Sequence, residues 1–464
     1  MSETLSAAGS RINSLLDANS FVEIGGLVTA RATDFNLSAR ETPSDGVITG
    51  YGTIDGSLVY IYSQDVTVLN GTVGEMHAKK IARVYSLAEK TGAPVIGLLD
   101  CGGLRLEEST DALDALGRIM RNQAAASGLI PQITVVCGNA GGGLSVVTAL
   151  SDFTFAVADK GRVFVNSPDA IPGNNVDKKD TSAPQFQYEA GNVDFVGSEE
   201  EVVSAVRKLV GLLPLNNQDE GTAEDCADDL NRVCAGLAGT IGDAAETLRV
   251  LGDGGQFFEI KAGYATDMVT GFIRLNGYTV GAVANRGTES TLRAKDAEKA
   301  ASFIEFCDAF NIPVLTLANV SGFHACECSE RRIPRKGAAL AYAYASATVP
   351  KVTVVTGKAI GSAGLLMGSK SIGADLVYAW PDAEIGAMEA PMAAKIIAAG
   401  KSADELKKTE EEYSALQLNA SSAARRGYVD TIIADEDTRK YVIGAFEMLY
   451  TKREDRPDKK HGTV

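Results

Sequence analysis

Two glycine-rich turns, one in each half of the 464-residue chain, have the residue types and spacing best suited to chemistry. In the first half, the apolar run 132–136 leads into Gly141, Gly142 and Gly143 and then into an apolar stretch with helical spacing. Glycine lets backbone N–H groups come close to a ligand oxygen, and a helix N-terminus favours negative charge. We therefore predict an oxyanion hole at this turn. The open alternative is that the glycines only let the helix pack closely on the strand.

The second turn follows the apolar run 352–356 and contains Gly361, Ser362, Ala363 and Gly364. Its recurrence at the same place in the second half favours the functional interpretation, because packing alone need not recur there. Two such turns suit a reaction that passes through two enolate-like oxyanions.

Each turn has a neighbouring loop where a predicted strand ends, and these loops are the candidate substrate-binding segments. Ligands of open parallel sheets collect outside the carboxyl ends of the strands. The carboxylates of Asp100, Glu107 and Glu108 are either acid/base groups or, as we favour, helix caps and solvent-facing side chains. The candidate substrate-binding residues are Cys101, Gly102, Gly103, Leu104 and Arg105 in the first loop, Ser321, Gly322 and Phe323 in the second, and Gly364 and Leu365 at the second turn.

An internal repeat explains why these features occur twice. Residues 49–56 are echoed by 270–277, residues 94–103 by 313–322, and residues 131–136 by 350–355, at offsets of 219 to 221 residues. These offsets far exceed the roughly 20–50 residues of solenoid repeats, so the repeated unit is a whole domain. We expect two such domains to face each other across a ligand-binding cleft.

Alternating strand and helix patterns predict an α/β fold for both domains. The segment 47–62 alternates around Asp55 and Gly56 and predicts a hairpin. The predicted helices cover residues 75–89, 110–126, 141–150, 296–310, 337–347, the segment after Ser362 and a charged stretch at 410–426, and the predicted buried strands cover 93–99, 132–136, 314–318 and 352–356. We place the two domains at 1–215 and 246–464, joined by an acidic linker at 216–245.

Composition excludes several classes of partner. A net charge of −16 argues against nucleic acid or an anionic membrane surface, since both require clustered Lys and Arg. No apolar stretch approaches the ~18 residues of a membrane span, and no signal pattern opens the chain. Seven cysteines, an odd number, fit a reducing compartment. We therefore expect a cytoplasmic protein that does not insert into a membrane.

The sequence offers no evident catalytic histidine and no strong metal motif. His77 lies in a predicted helix and is expected to be structural. His324, Cys326 and Cys328 are three candidate metal ligands, but zinc sites more often use paired cysteines and a fourth ligand. We therefore favour a variant substrate loop and expect no bound metal.

Because its motifs follow one another in the same order along the sequence, the chain resembles the carboxyltransferase β subunits of biotin-dependent acyl-CoA carboxylases such as propionyl-CoA carboxylase. It equally resembles the α subunits of sodium-pumping acyl-CoA decarboxylases. The resemblance covers nearly the whole chain, and its most specific stretches are residues 45–52, 63–68, 74–80, 306–313, 341–351, 378–381 and 459–462.

The resemblance implies two tandem crotonase-like (ClpP/crotonase) β-β-α spiral domains and a hexamer. Acyl-CoA would bind the first domain, with the amides around Gly141 to Gly143 on the thioester enolate oxygen. Biotin, carried by a separate biotin carboxyl carrier protein, would bind the second domain, with the amides of Ser362 and Ala363, just after Gly361, on its ureido oxygen. A biotin carboxylase or a membrane decarboxylase subunit would complete the complex. Carboxybiotin itself supplies both the carboxyl group and a base, so few protein side chains are required.

Departures from the family pattern concentrate in the second domain. Relatives commonly read Asp-Val-Pro-Gly-Phe where this chain has residues 319–323 with Asn319, and their proline- and glycine-rich loop is replaced at 324–336. Leu365 lies near a position thought to influence acyl specificity in the family. The acyl group and the direction of transfer therefore stay open: carboxylation, or decarboxylation or transcarboxylation from a malonyl-type thioester. A second alternative is a catalytically silent paralogue that pairs with an active subunit.

Overall fold

The computed structural model of the chain divides into two compact units, Met1–Gly221 and Thr222–Val464, and each contains one copy of the sequence repeat. The structure describes residues 6–32, 41–174, 178–219 and 223–455, so the family signature at 459–462 lies outside the described residues. The division between the units falls inside the acidic segment 216–245. The later part of this segment packs on the second unit, where Leu237 is buried and the Cys234 N–H donates to the Glu436 carbonyl.

The sheet of the first unit begins with an antiparallel hairpin and continues in parallel. Its order is β1-β2-β3-β4-β5-β7-β9, and β6 and β8 form a separate parallel pair. The strands are β1 (Val22–Glu23), β2 (Val47–Ile54), β3 (Ser57–Gln64), β4 (Val95–Leu99), β5 (Gln132–Val136), β6 (Asn139–Gly141), β7 (Phe153–Val157), β8 (Arg162–Phe164) and β9 (Phe195–Gly197). The predicted hairpin is confirmed. Asp55 and Gly56 form its two-residue turn, both with positive φ, and Ile54 pairs with Ser57 across it.

The second unit repeats this order strand for strand. The order is β10-β11-β12-β13-β14-β15-β17, and β16 pairs with the end of β14 as β8 pairs with β6. The strands are β10 (Phe258–Ile260), β11 (Met268–Leu275), β12 (Tyr278–Asn285), β13 (Val314–Val320), β14 (Lys351–Ile360), β15 (Leu376–Ala379), β16 (Glu384–Gly386) and β17 (Thr431–Ile432). Single hydrogen bonds recur as well: Asp152 accepts the N–H of Gln132, and Asp375 accepts that of Lys351.

Helices cover the sheets and supply their cores. In the first unit, α2 and α3 bury Ile81, Val84 and Ile119 against the strands, and in the second, Leu248 and Val442 lie over the sheet. The helices of the first unit are α1 (Ala7–Leu15), α2 (Glu75–Thr91), α3 (Thr110–Ala126), α4 (Gly143–Ala149), α5 (Pro184–Ala190) and α6 (Glu199–Leu212). Those of the second are α7 (Ala244–Leu251), α8 (Ala294–Ala309), α9 (Glu327–Glu330), α10 (Ile333–Ser346), α11 (Gly361–Leu366), α12 (Ala390–Ile397), α13 (Ala403–Tyr413), α14 (Ala420–Arg425) and α15 (Thr438–Leu449).

The charged stretch predicted to be helical at 410–426 is helical, with one break. The chain forms α13, then a π-helical turn at Ser414–Leu418, and breaks at Asn419, whose backbone is extended. The Asn419 side chain caps α14 by accepting the Ser422 N–H, which stabilises the break.

Two buried lysines at equivalent positions bind backbone carbonyls near the start of each repeat. Lys80 on α2 donates to the carbonyls of Ser44 and Val47. Lys299, 219 residues later on α8, donates to the carbonyls of Lys261, Tyr264 and Met268 at 2.8, 2.9 and 2.7 Å. These ammonium groups satisfy loop carbonyls that would otherwise be buried without donors.

Replacing Lys299 with Met is expected to lower the free energy of unfolding by about 2–3 kcal/mol, because the carbonyls lose their donor. Burial lowers the pKa of Lys299 to about 7, below the 10.5 of an unfolded lysine. The unfolded chain therefore binds more protons between these pH values, and wild-type stability should rise with pH across that window. Lys299→Met should remove this contribution.

Urea unfolding followed by the fluorescence of Trp380, the single tryptophan, tests this in the second unit. The matched control is Lys295→Met, since Lys295 is exposed one turn earlier on α8. Equal unfolding midpoints for the two variants would contradict the role given to Lys299.

Candidate active site

The turn between β6 and α4 presents backbone amides in the first unit. The Gly142 N–H donates to the Phe164 carbonyl at 2.8 Å, so this amide is already engaged. Backbone groups alternate between the two edges of a strand, so the N–H of Gly141 faces away from β8. Gly143 is the first residue of α4, where N–H groups have no intrahelical acceptor. Gly141 and Gly143 are therefore the candidate donors.

The glycines of this turn also serve packing, so both interpretations of the sequence apply. A Cβ at Gly141 would lie 2.7 Å from the Phe164 ring, and one at Gly143 would lie 2.6 Å from the Leu116 side chain. Gly142 differs, because a Cβ there meets no atom within 4 Å. Its φ of 60° and ψ of −127° instead favour glycine.

The second turn also has a glycine with positive φ where the strand meets the helix. Gly361 has a φ of 62°, like Gly142, which makes Ser362 the counterpart of Gly143. Ser362 is exposed and Ala363 is buried. A Cβ at Gly364 would overlap the backbone of Ala359, so this glycine lets α11 pack on β14. The neighbouring Leu365 is 44% exposed.

The loop after β4 is held by its own backbone. The Gly102 N–H donates to the Asn70 carbonyl at 2.8 Å, and the Gly103 N–H donates to Cys101 Sγ at 3.3 Å. Leu104 forms a bridge with Val73. Burial raises the pKa of the Cys101 thiol to about 11, so it is protonated at neutral pH and is not a nucleophile.

Arg105, a predicted substrate contact, is enclosed by the protein. Its side chain is 1% exposed, and Nη1 lies 2.6 Å from Asp45 Oδ1 and 2.9 Å from Glu108 Oε1. Nη2 donates to the Thr72 carbonyl at 2.8 Å. The guanidinium therefore fixes the loop from inside. Glu108 also accepts the Glu75 N–H at the start of α2, which confirms the capping interpretation for this carboxylate.

A hydrogen-bonded chain runs from this buried cluster to Asp100. His77 Nδ1 bonds the Asp45 carbonyl at 3.0 Å, so this nitrogen carries the proton and Nε2 accepts from the Gln64 amide. Gln64 Oε1 accepts the Asp100 N–H. Burial lowers the pKa of His77 to about 3, so the ring stays neutral and its predicted structural role is confirmed. The Asp100 carboxylate pairs with Arg11 at 2.8 Å.

In the second loop, Asn319 binds the end of β14 just before the second glycine-rich turn. Asn319 Oδ1 accepts the Lys358 N–H at 2.9 Å, and Nδ2 donates to the Gly287 carbonyl at 2.7 Å. The Ser321 N–H donates to the Ser290 carbonyl. Gly322 is half-buried, and its carbonyl accepts the N–H of Leu292. Phe323 is 41% exposed.

Several partners of the site were not predicted from the sequence, among them Arg11, Gln64, Thr72 and Asn70. Each lies at least 30 positions from the residue it binds, and no local motif marks it. The repeat could have identified Gln64, because Asn285, its counterpart in the second half, accepts the Asn319 N–H in the same way.

No group of three or more metal-ligating side chains occurs in the described part of the chain. Of the three candidate ligands considered in the sequence, His324 bonds Thr291 Oγ1 through Nδ1 at 3.0 Å. Among the described helices, none is both long and apolar enough to cross a membrane.

The chain is similar to known proteins over nearly its whole length. Residues 5–464 match the carboxyl transferase domain. The chain is 40% identical to the methylmalonyl-CoA decarboxylase subunit alpha of Veillonella parvula, covering 98% of this chain and 92% of that protein. It is also 40% identical to the propionyl-CoA carboxylase beta chain of Roseobacter denitrificans, covering 98% and 93%.

A solved structure shows the same fold. Transcarboxylase 12S, with methylmalonyl-CoA and methylmalonic acid bound, matches with a TM-score of 0.93 and 38% identity over 98% of this chain and 92% of that one. The α/β fold class is confirmed, in agreement with crotonase-like domains, and the resemblance seen in the sequence is confirmed with it. The chain belongs to the carboxyl transferase family of enzymes.

Proposed function

We propose that this chain transfers a carboxyl group between biotin, carried by a separate carrier protein, and the α-carbon of a short acyl-CoA. The observation that carries the proposal is the pair of turns. Gly142 and Gly361 share a φ near 60°, and both turns enter a short helix, in which Gly143 is the first residue of α4 and Ser362 is the second residue of α11. The two relatives compared above are named as subunits of an acyl-CoA decarboxylase and an acyl-CoA carboxylase.

In the first unit, the amides of Gly141 and Gly143 would hold the thioester oxygen as it gains negative charge. Donors placed in advance at that position stabilise the enolate without reorganising during the reaction. The exposed backbone of Gly102 and the half-buried Leu104 would lie along the bound acyl-CoA. The buried ion pairs of Arg105 with Asp45 and Glu108 hold this loop in place.

In the second unit, the amides of Ser362 and Ala363 would hold the ureido oxygen of biotin, and carboxybiotin supplies the carboxyl group when bound. The residues fit such a group, since the exposed Ser362 leaves the helix start open. The approach to this turn would be formed by Ser321, Gly322 and Phe323. The side chain of Leu365 would face the bound biotin. Asn319 fixes the turn through the Lys358 amide.

The partners follow from the chemistry. The chain would need a biotin carboxyl carrier protein and either a biotin carboxylase or a membrane decarboxylase subunit, and it would assemble as a hexamer. The structural relative is described as a hexamer, which supports this assembly.

A panel of CoA thioesters tests the function. The full chain, given free biotin as acceptor, is expected to remove the carboxylate from malonyl-CoA, methylmalonyl-CoA or a longer homologue, and only when biotin is present. Biotin-dependent loss with one thioester identifies the acyl group. No transfer or release at any acyl length would contradict the proposal and favour the silent paralogue.

A further inference from the structure

Two cysteines in the loop after Phe323 form a thiol pair that carboxyl transfer does not use. All seven cysteines are free, and Cys101, Cys137, Cys234 and Cys307 are buried. Cys328 is exposed and Cys326 is half-buried. The pair therefore combines solvent access with a neighbouring thiol, whereas the buried cysteines lack access.

Backbone geometry already suits a bond between them. Helix α9 begins at Glu327, so one helical residue separates Cys326 from Cys328. Helix geometry sets their Cα atoms about 5.4 Å apart, inside the roughly 4.4–6.8 Å range of disulfides. The Cys328 side chain lies close enough to lower the pKa of Cys326, so the two thiols are neighbours in space as well as in sequence.

The environment of Cys326 favours its thiolate. Its Sγ accepts the N–H of Ser329 at 3.2 Å and caps α9. The Cys328 side chain and the Ser329 amide lower the pKa of Cys326. Burial instead raises the pKa of Cys101 to about 11 and that of Cys137 to about 12. Cys326 is therefore the reactive thiol of the pair.

We propose that Cys326 and Cys328 are a reversible thiol–disulfide modification site, oxidised by low-molecular-weight disulfides. The Cys326 thiolate attacks one sulfur of the small disulfide, and the other sulfur leaves as a thiolate. The Cys328 thiolate then attacks Cys326 in the mixed disulfide and expels the second small thiolate. Two protein thiols become one disulfide, and one small disulfide becomes two thiols, so electrons and protons balance.

Oxidation would act on the second unit through the cap of α9. The thiolate acceptor of the Ser329 N–H is lost when Cys326 enters a disulfide, and the preceding residues include His324, whose N–H bonds the Leu292 carbonyl beside Phe323. Under the proposed function, Phe323 belongs to the approach to biotin. We therefore expect oxidation to lower kcat with biotin as acceptor several-fold.

Glutathione buffers of rising oxidised-to-reduced ratio test the site on the full chain. After alkylation and digestion, mass spectrometry should find the wild-type peptide lighter by two hydrogens and unalkylated at both cysteines. Cys328→Ser should instead carry one glutathione at Cys326. Cys326→Ser keeps a serine cap on α9 and should show neither product. The half-buried Cys226 serves as the internal control.

The outcomes separate the two proposals. Full alkylation of Cys326 and Cys328 at every ratio, or equal oxidation of Cys226, would overturn the modification site whether or not the chain is active. A disulfide that forms while kcat with biotin stays unchanged would overturn the coupling to Phe323. Loss of kcat on oxidation, reversed by dithiothreitol and absent in Cys326→Ser, is the expected result.

Discussion

Replacing Gly143 with proline should lower kcat for carboxyl transfer by about 10²–10³-fold, the effect of removing one oxyanion-hole donor. Proline is well tolerated at the first position of a helix, and Gly143 holds that position in α4. The substitution therefore removes one N–H while the helix can remain. A CoA-thioester assay with biotin as acceptor measures the effect.

The matched control is Gly143→Ala, which keeps the N–H. Both variants place a Cβ 2.6 Å from the Leu116 side chain, so both carry this contact. Adding Leu116→Ala to each relieves that contact. If the alanine variant loses as much kcat as the proline variant, packing and not hydrogen bonding governs the turn.

The second turn permits the same comparison without crowding, since Ser362 is exposed. Ser362→Pro should reduce transfer to biotin and leave the Kd for acyl-CoA unchanged, whereas Ser362→Ala should behave like the wild type. A change in acyl-CoA binding in Ser362→Pro would contradict the assignment of the two turns to different substrates.

Replacing Arg105 with Met is expected to destabilise the chain by about 3–5 kcal/mol, the usual cost of breaking a buried ion pair by removing one partner. Asp45 and Glu108 would remain buried without their cation. Burial already raises the pKa of Asp45 while Arg105 opposes that rise, so the pKa should climb further in the variant. Protonation then relieves the unpaired charge, and the loss should be smaller at acidic pH than at alkaline pH.

Thermal and urea unfolding of wild type and variant measure the loss, and hydrogen exchange across residues 101–108 locates it. Arg118→Met is the control, because Arg118 forms an exposed pair with Asp114 and its loss should cost at most about 1 kcal/mol. Acyl-CoA affinity lost without any change in stability would restore a direct substrate role for Arg105.

Local patterns were enough to predict much of the architecture. Helix α3 and strand β5 have the predicted bounds, and Asp55 and Gly56 form the predicted hairpin turn. The repeat predicted two similar domains, and the structure shows the same strand order in both halves, because the same sequence spacing places the same apolar faces and turns. The glycine runs predicted turns that expose backbone amides.

The sequence by itself therefore determined the repeated α/β units and the positions of both turns, since periodicity and glycine act over a few residues. Only the tertiary structure decided which groups are used. It engaged the Gly142 amide with Phe164, buried Arg105 between Asp45 and Glu108, and set Asn319 against Lys358. These contacts join residues far apart in sequence, and burial decides whether a charged side chain meets a ligand or another part of the protein.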